Sequence, residues 1–173
     1  MQKKTENEKL RSMVFAGLFA AMTALFTAAM HIPVGNGYIH CGDAVIYLAA
    51  AVLPMPYAVG AAAIGGMTAD LLSGYPIYAL PTFLIKALLA LTFSLIGGRR
   101  PVDGRRLAAL LLCGLVSVFG YWITAVILYG GWTAQFIGTV PGNLIQAAGS
   151  GAVYAVAAVA LERFRSRKPH LMF

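Results

Sequence analysis

The sequence predicts an all-α integral membrane protein with six transmembrane helices and both termini in the cytoplasm. Three observations carry that reading. Of the 173 residues, 60% are hydrophobic and 11% are charged, against roughly 25% charged in a soluble domain. The apolar residues fall in runs close to the ~20 needed to cross ~30 Å of hydrocarbon. Every Lys and Arg except Lys86 lies in one of three clusters between or beyond those runs. These are the N-terminal tail, the segment Arg99-Arg100-Pro101-Val102-Asp103-Gly104-Arg105-Arg106, and the tail at residues 163–168.

The first predicted helix spans 13–32 and is closed by Pro33. Lys3, Lys4, Lys9 and Arg11 precede it, as in a signal peptide. The apolar run exceeds the ~7–15 residues of a signal h-region, so it reads as a retained helix. A second, short helix is predicted at 42–53 and a third at 57–72, with Pro54-Met55-Pro56 as a tight inner turn. Residues 44–69 carry no charge, so a single kinked helix also fits locally. Charge parity decides between five and six crossings. Six crossings put all three basic clusters in the cytoplasm, as the positive-inside rule requires, and five would separate them. The remaining helices are predicted at 79–97, 107–128 and 139–161. No polar stretch is long enough for a second domain, so 1–173 reads as one membrane domain.

The net charge of +7 belongs to residues flanking apolar runs, which makes it a topology signal rather than a nucleic-acid surface. Cys41 and Cys113 have neither disulfide nor metal-site spacing and read as buried thiols. The six-crossing topology leaves three loops outside, at 33–42, 73–80 and 129–138, rich in Gly, Pro and aromatics and free of Lys and Arg. The first runs into Gly35-Asn36-Gly37-Tyr38-Ile39-His40-Cys41-Gly42-Asp43. Its glycines argue against a helix, and it reads as a loop lidding a small-molecule site. Tyr and Trp in the other two serve either as interfacial anchors or as stacking surfaces for a flat ligand.

An ionisable group within a membrane span is a functional hypothesis by default. Asp43, Asp70 and Lys86 all fall in the outer half of their predicted helices, where His40 joins them. Their convergence points to a shared pocket. A structural Asp70–Lys86 ion pair is the alternative, and Asp43 also suits a helix N-cap. Asn143 and Gln146, three apart, share a helix face and seek either a ligand or a neighbouring helix. Tyr121, Trp122 and Thr124 are candidates to line the same cavity. Ala16, Ala20 and Ala24 form a small-residue stripe, with Gly17 and Ala21 beside it, for close packing in lipid within the chain or on another subunit. Catalytic constellations are poor. Ala148-Gly149-Ser150-Gly151 lacks the first Gly of an intramembrane serine-protease motif, and there is no nucleotide-binding loop. The chain reads as no enzyme, with no cofactor and no metal site. Active transport would then draw on a partner or an ion gradient.

Gly37-Tyr38-Ile39-His40-Cys41-Gly42-Asp43-Ala44, followed by Gly74-Tyr75-Pro76-Ile77-Tyr78 and Phe83-Leu84-Ile85-Lys86-Ala87, resembles the substrate-binding S components of energy-coupling factor (ECF) vitamin transporters. The resemblance covers nearly the whole chain. It implies capture of a micronutrient at the outer face of a prokaryotic plasma membrane. The loaded subunit would then topple within the membrane, docked on one transmembrane coupling subunit and two ATPase subunits. It implies Ala16, Ala20 and Ala24 as the docking surface, and Tyr38, His40, Asp43, Asp70, Tyr75, Lys86, Asn143 and Gln146 as substrate-binding residues. Several S components of this look take riboflavin, pyridoxine-like or thiamine-pyrimidine substrates. Two Asp against one Lys disfavour a strongly anionic ligand, and loop aromatics favour a ring, so the expected substrate is a small heteroaromatic vitamin or precursor. Two competing classes are a stand-alone proton-coupled secondary transporter or channel using His40, Asp70 and Lys86, and a non-transport membrane scaffold.

Overall fold

A computed structural model describes residues 6–34, 37–97 and 103–167. The sequence readings on Lys3, Lys4, Gly35, Asn36, Arg99, Arg100 and Lys168 fall outside those residues. The described chain forms α1 (Glu6–Ala29), β1 (His31–Val34), β2 (Gly37–His40), α2 (Gly42–Val52), α3 (Met55–Leu72), a 3-10 turn at Pro76–Tyr78, α4 (Ala79–Ile96), α5 (Gly104–Tyr129) and α6 (Trp132–Arg167). It is an all-α membrane architecture apart from one small hairpin.

Helix α1 opens with Glu6 and Glu8 in its first turn, where acidic side chains complement the helix dipole. It stops at Ala29, three residues short of the predicted end. The reason is local: Nδ1–H of His31 donates to the Ala28 carbonyl at 2.6 Å, and the next four residues join the hairpin. The strands are antiparallel, with His31 opposite His40 and Pro33 opposite Tyr38. Tyr38 and His40 lie two apart and therefore share one face of the strand.

Helix α2 has 11 residues, about 16 Å of rise, roughly half the hydrocarbon thickness. It packs on α1, α4 and α6 as well as on α3. Gly42, Asp43, Ala44, Val45, Ile46, Tyr47, Ala49 and Ala50 are buried, as expected of a helix apolar all round. It ends where Leu53 turns extended, with Pro54 as the cap before α3. The predicted three-residue turn is thus two residues, and Met55 and Pro56 already belong to the first turn of α3.

Helix α3 lies between α1 and α4. Its buried residues are Ala58, Ala61, Ala62, Ala63, Gly65, Gly66, Ala69 and Asp70, mostly small side chains that let backbones approach closely in lipid. At Gly65 a methyl group would sit 2.6 Å from the Ala20 carbonyl oxygen. Away from the hairpin, Tyr47, Phe93 and Tyr154 close the core. Tyr47 stacks on Phe93 at 5.1 Å, and Tyr154 meets Phe93 edge-on at 5.1 Å.

Helix α6 departs most from expectation. It starts at Trp132 rather than 139 and runs for 36 residues with Pro141 inside. The predicted third outer loop therefore shrinks to Gly130 and Gly131, both at positive φ, a conformation only glycine adopts cheaply. Among the described residues, four helices, α1, α4 with its leading 3-10 turn, α5 and α6, are long and apolar enough to cross a membrane, and α2 is a shorter apolar helix.

Candidate functional site

Beneath the hairpin lies a cleft, part of it open to solvent. Tyr38, Ile39 and His40 line it from the hairpin, Asp70 from α3, Thr82 from α4, Tyr121 from α5, and Thr139, Asn143 and Gln146 from α6. Thr27 and Tyr78 complete the wall, and Gly138 and Gly142 bring the α6 backbone to its surface.

Hydrogen bonds run from hairpin to helices without a break. The His40 backbone N–H donates to Gln146 Oε1 at 3.2 Å, and Gln146 Nε2 donates to Asp43 Oδ2 at 3.0 Å. The other carboxylate oxygen of Asp43 takes Lys86 Nζ at 2.6 Å, with both side chains 1% exposed. The Lys86 ammonium also lies 5.2 Å from the Tyr121 ring centroid. A methyl group at Gly66 would stand 2.6 Å from Lys86 Cγ, so Gly66 makes room for the lysine stem. The Asp70–Lys86 pairing considered from the sequence does not form: Lys86 pairs with Asp43. Nor does Asp43 cap its helix. Cys41 holds the cap position of α2, with no side-chain capping bond.

His40 is buried. Its Nδ1 accepts the Gly42 backbone N–H at 3.0 Å, with the Thr27 hydroxyl at 3.5 Å. That places the ring proton on Nε2. Burial, followed by the Lys86 charge, lowers its pKa to about 3. The folded state keeps the ring neutral while an unfolded chain takes a proton below about pH 6.5. The unfolded state therefore binds more protons between those values, and stability falls as pH falls across that window. We expect the wild-type chain to lose roughly 2 kcal/mol between pH 7 and pH 5 relative to His40→Asn, at about 1.4 kcal/mol per unit. Unfolding in detergent across that range checks it, and parallel pH profiles for the two chains would refute it.

Tyr38 donates its hydroxyl to Asp70 Oδ1 at 2.5 Å. Burial and the Asp70 carboxylate raise its phenol pKa above the ordinary value, so it remains a donor. The ring of Tyr38 lies 5.0 Å from that of Tyr75 and 4.9 Å from that of His31. Oδ2 of Asp70 is buried and has no hydrogen-bond partner among the described residues.

Five of the residues singled out from the sequence, Tyr38, His40, Asp70, Asn143 and Gln146, line the cleft. Asp43 and Lys86 lie behind it, and Tyr75 supports the Tyr38 ring. Of the candidates on α5, Tyr121 lines the cleft, while the Thr124 hydroxyl bonds its own helix at Gly120 O and Trp122 Nε1 reaches Trp132 O. Sequence reasoning missed Thr27, Thr82 and Thr139, while Tyr78 was among the loop aromatics read as anchors or stacking surfaces. Thr82 shares a hydrogen bond of 3.1 Å with the Tyr121 hydroxyl. The usable signal for the α6 wall was Gly138-Thr139-Val140-Pro141-Gly142: a proline removes an N–H inside a helix, and glycines beside it bare the backbone. In the small-residue stripe, Ala24 is buried and Ala20 lies under Gly65 of α3. Ala16 is half-buried, while Gly17 and Ala21 on the neighbouring face are exposed.

Comparison with known proteins agrees with this architecture. A protein from Pyrococcus woesei described as an uncharacterized protein in gap 3′region is 38% identical over 108 residues, covering 61% of this chain and 72% of that one. A solved structure described as "Structure and mechanism of the S component of a bacterial ECF transporter" superposes with a TM-score of 0.68 at 20% identity, covering 96% of this chain and 99% of that one. It shows the shared fold. The family model for the ECF-type riboflavin transporter, S component, matches residues 7–163. Spanning nearly the whole chain, that match shows that the protein belongs to the family of ECF-type transporter S components.

Proposed function

We propose that this chain is the substrate-capture subunit of an ATP-driven micronutrient importer in a prokaryotic cell membrane. It binds a small heteroaromatic vitamin or precursor from outside and docks on a separate module of one transmembrane coupling subunit and two ATPases. The observation that carries the capture reading is the hairpin-roofed cleft, walled by aromatic rings and by hydrogen-bonding groups from five helices. Family membership supports the transport context.

The helix ends support the orientation. The cleft is built from the C-terminal ends of α1 and α5 and the N-terminal ends of α4 and α6. Lys9 and Arg11 lie at the other end of α1, Arg105 and Arg106 at the other end of α5, and Arg163 at the other end of α6. With the basic ends and both termini in the cytoplasm, the cleft faces out. Tyr38, His40, Asp70, Asn143 and Gln146 would meet the ligand. Asp43, Lys86 and Tyr75 would hold those groups in place.

The α1 face bearing Ala16, with Gly17 and Ala21 beside it, is the proposed docking surface. Ala16→Trp is expected to reduce vitamin uptake by reconstituted vesicles to background while leaving binding by the isolated subunit within about threefold. A large bulky side chain on a small-residue seam blocks helix approach without reaching the cleft. Loss of binding in that variant would contradict the docking role. Mass spectrometry of the small molecule that copurifies with the wild-type chain tests the capture reading, and uptake by this chain alone in ATP-free vesicles would overturn it.

A further inference from the structure

The cleft has an electrostatic bias that the capture reading alone does not specify. Asp70 is 4% exposed and lines the cleft. One of its oxygens accepts from the Tyr38 hydroxyl, and the other has no partner among the described residues. A buried carboxylate oxygen without a donor is costly and calls for one. The neighbouring hydroxyl that approaches the Asp70 carboxyl is that of Thr82, which is shared with the Tyr121 hydroxyl. The Asn143 amide donates to its own helix at Thr139 O, and the Thr139 hydroxyl donates to Gln135 O. Among the described residues no Lys or Arg lines the cleft. The nearest buried cation, Lys86, is committed to Asp43.

We propose that Asp70 Oδ2 is the specificity-determining acceptor of the cleft. It receives an N–H donor carried on the edge of a heteroaromatic ring. The site thereby selects uncharged or cationic donor-bearing rings and rejects their phosphate esters. This rests on the capture reading and adds the ligand's hydrogen-bonding polarity and charge. Tyr38 fixes the carboxylate by holding Oδ1, so that Oδ2 is presented in one direction. A phosphate monoester would bring two negative charges to a wall that offers a carboxylate and no cation, and it would be desolvated there without compensation.

The test pairs ligand and residue, so that it does not depend on one variant folding. Binding to the purified full chain is measured for riboflavin and N3-methylriboflavin, and for 4-amino-5-hydroxymethyl-2-methylpyrimidine and its 4-methoxy analogue. The methylated partner of each pair lacks the ring-edge donor. On whichever scaffold the wild-type chain binds, removing the donor is expected to weaken binding about 10- to 100-fold, the usual worth of a hydrogen bond to a charged group. In Asp70→Asn the penalty for removing the donor is expected to shrink to within threefold. The phosphate ester of the bound scaffold is expected to bind the wild-type chain at least about 100-fold more weakly. Equal binding within a pair by the wild-type chain, or a phosphate ester bound as tightly as its parent, would overturn the Asp70 assignment and leave capture standing. Binding of none of the probes, with no small molecule copurifying with the wild-type chain, would overturn both. If Asp70→Asn does not fold, the donor and phosphate comparisons on the wild-type chain still decide.

Discussion

Lys86→Met destabilises the protein by about 3–5 kcal/mol, the expected cost of leaving one member of a buried ion pair unpaired. The chain of cause is short. Lys86 and Asp43 are both 1% exposed and meet at 2.6 Å. Without the ammonium, Asp43 keeps, among the described residues, the Gln146 amide as its side-chain donor, and a buried carboxylate with one neutral donor is strongly disfavoured. The effect belongs to the broken pair and not to the position. Adding Asp43→Leu to Lys86→Met is therefore expected to recover most of the loss, because apolar side chains of similar volume often replace a buried pair at little cost. Unfolding of the detergent-solubilised variants measures both. A single variant within about 1 kcal/mol of wild type, or a double variant no better than the single, would show that the pair does not hold α2 to α4.

Gly65→Ala costs up to about 3 kcal/mol, the upper part of the range for overpacking. The added methyl would meet the Ala20 carbonyl oxygen at 2.6 Å and Thr23 Cβ at 2.8 Å. One contact is backbone and the other is fixed to it, so no side chain can rotate away and α1 must move off α3. Gly60→Ala on the same helix is the control. A methyl there meets nothing within 4 Å, and replacing a mid-helix glycine by alanine is expected to gain up to about 1 kcal/mol. Opposite signs for the two substitutions in a thermal melt are the expected result, and equal effects would deny the close approach of α1 and α3.

The two glycines also show what the sequence could not reveal. Small residues along α1 and α3 are visible as a pattern, but the pattern does not say which partner each faces. Ala20 and Ala24 turned toward the chain's own core, while Gly17 and Ala21 were left outside. Hydropathy and the parity of the basic clusters were enough for six helices: hydropathy is local, and parity along the whole chain separated the second helix from the third. They were not enough for α6, whose first turns resemble a Gly- and aromatic-rich loop in composition and whose proline suggests a break. The candidate site was legible through rarity. In a chain this apolar, Asp43, Asp70, Lys86 and Gln146 stand out, and the structure gathers them around one end of the bundle. Their pairing was not legible. Asp70 and Lys86 lie one helix apart in sequence, yet Lys86 reaches back to Asp43, 43 residues away. Threonines that finish the wall carry no such rarity and were passed over.

The hairpin is joined to α1 by Met30 alone and to α2 by Cys41 alone. Such short leashes allow no independent swing, so in the proposed capture role the hairpin would open only by giving up its hold on the helices beneath it. Those holds are Tyr38 on Asp70, the His40 N–H on Gln146, and the Ser150 hydroxyl on the His40 carbonyl at 3.4 Å. Several bonds must then part together before anything below escapes. On the capture reading, departure would be the slow step, with retention set by the off-rate more than by the frequency of encounter. Under the proposed function, a subunit that holds scarce cargo until a partner arrives would be well served by a trap that leaks slowly.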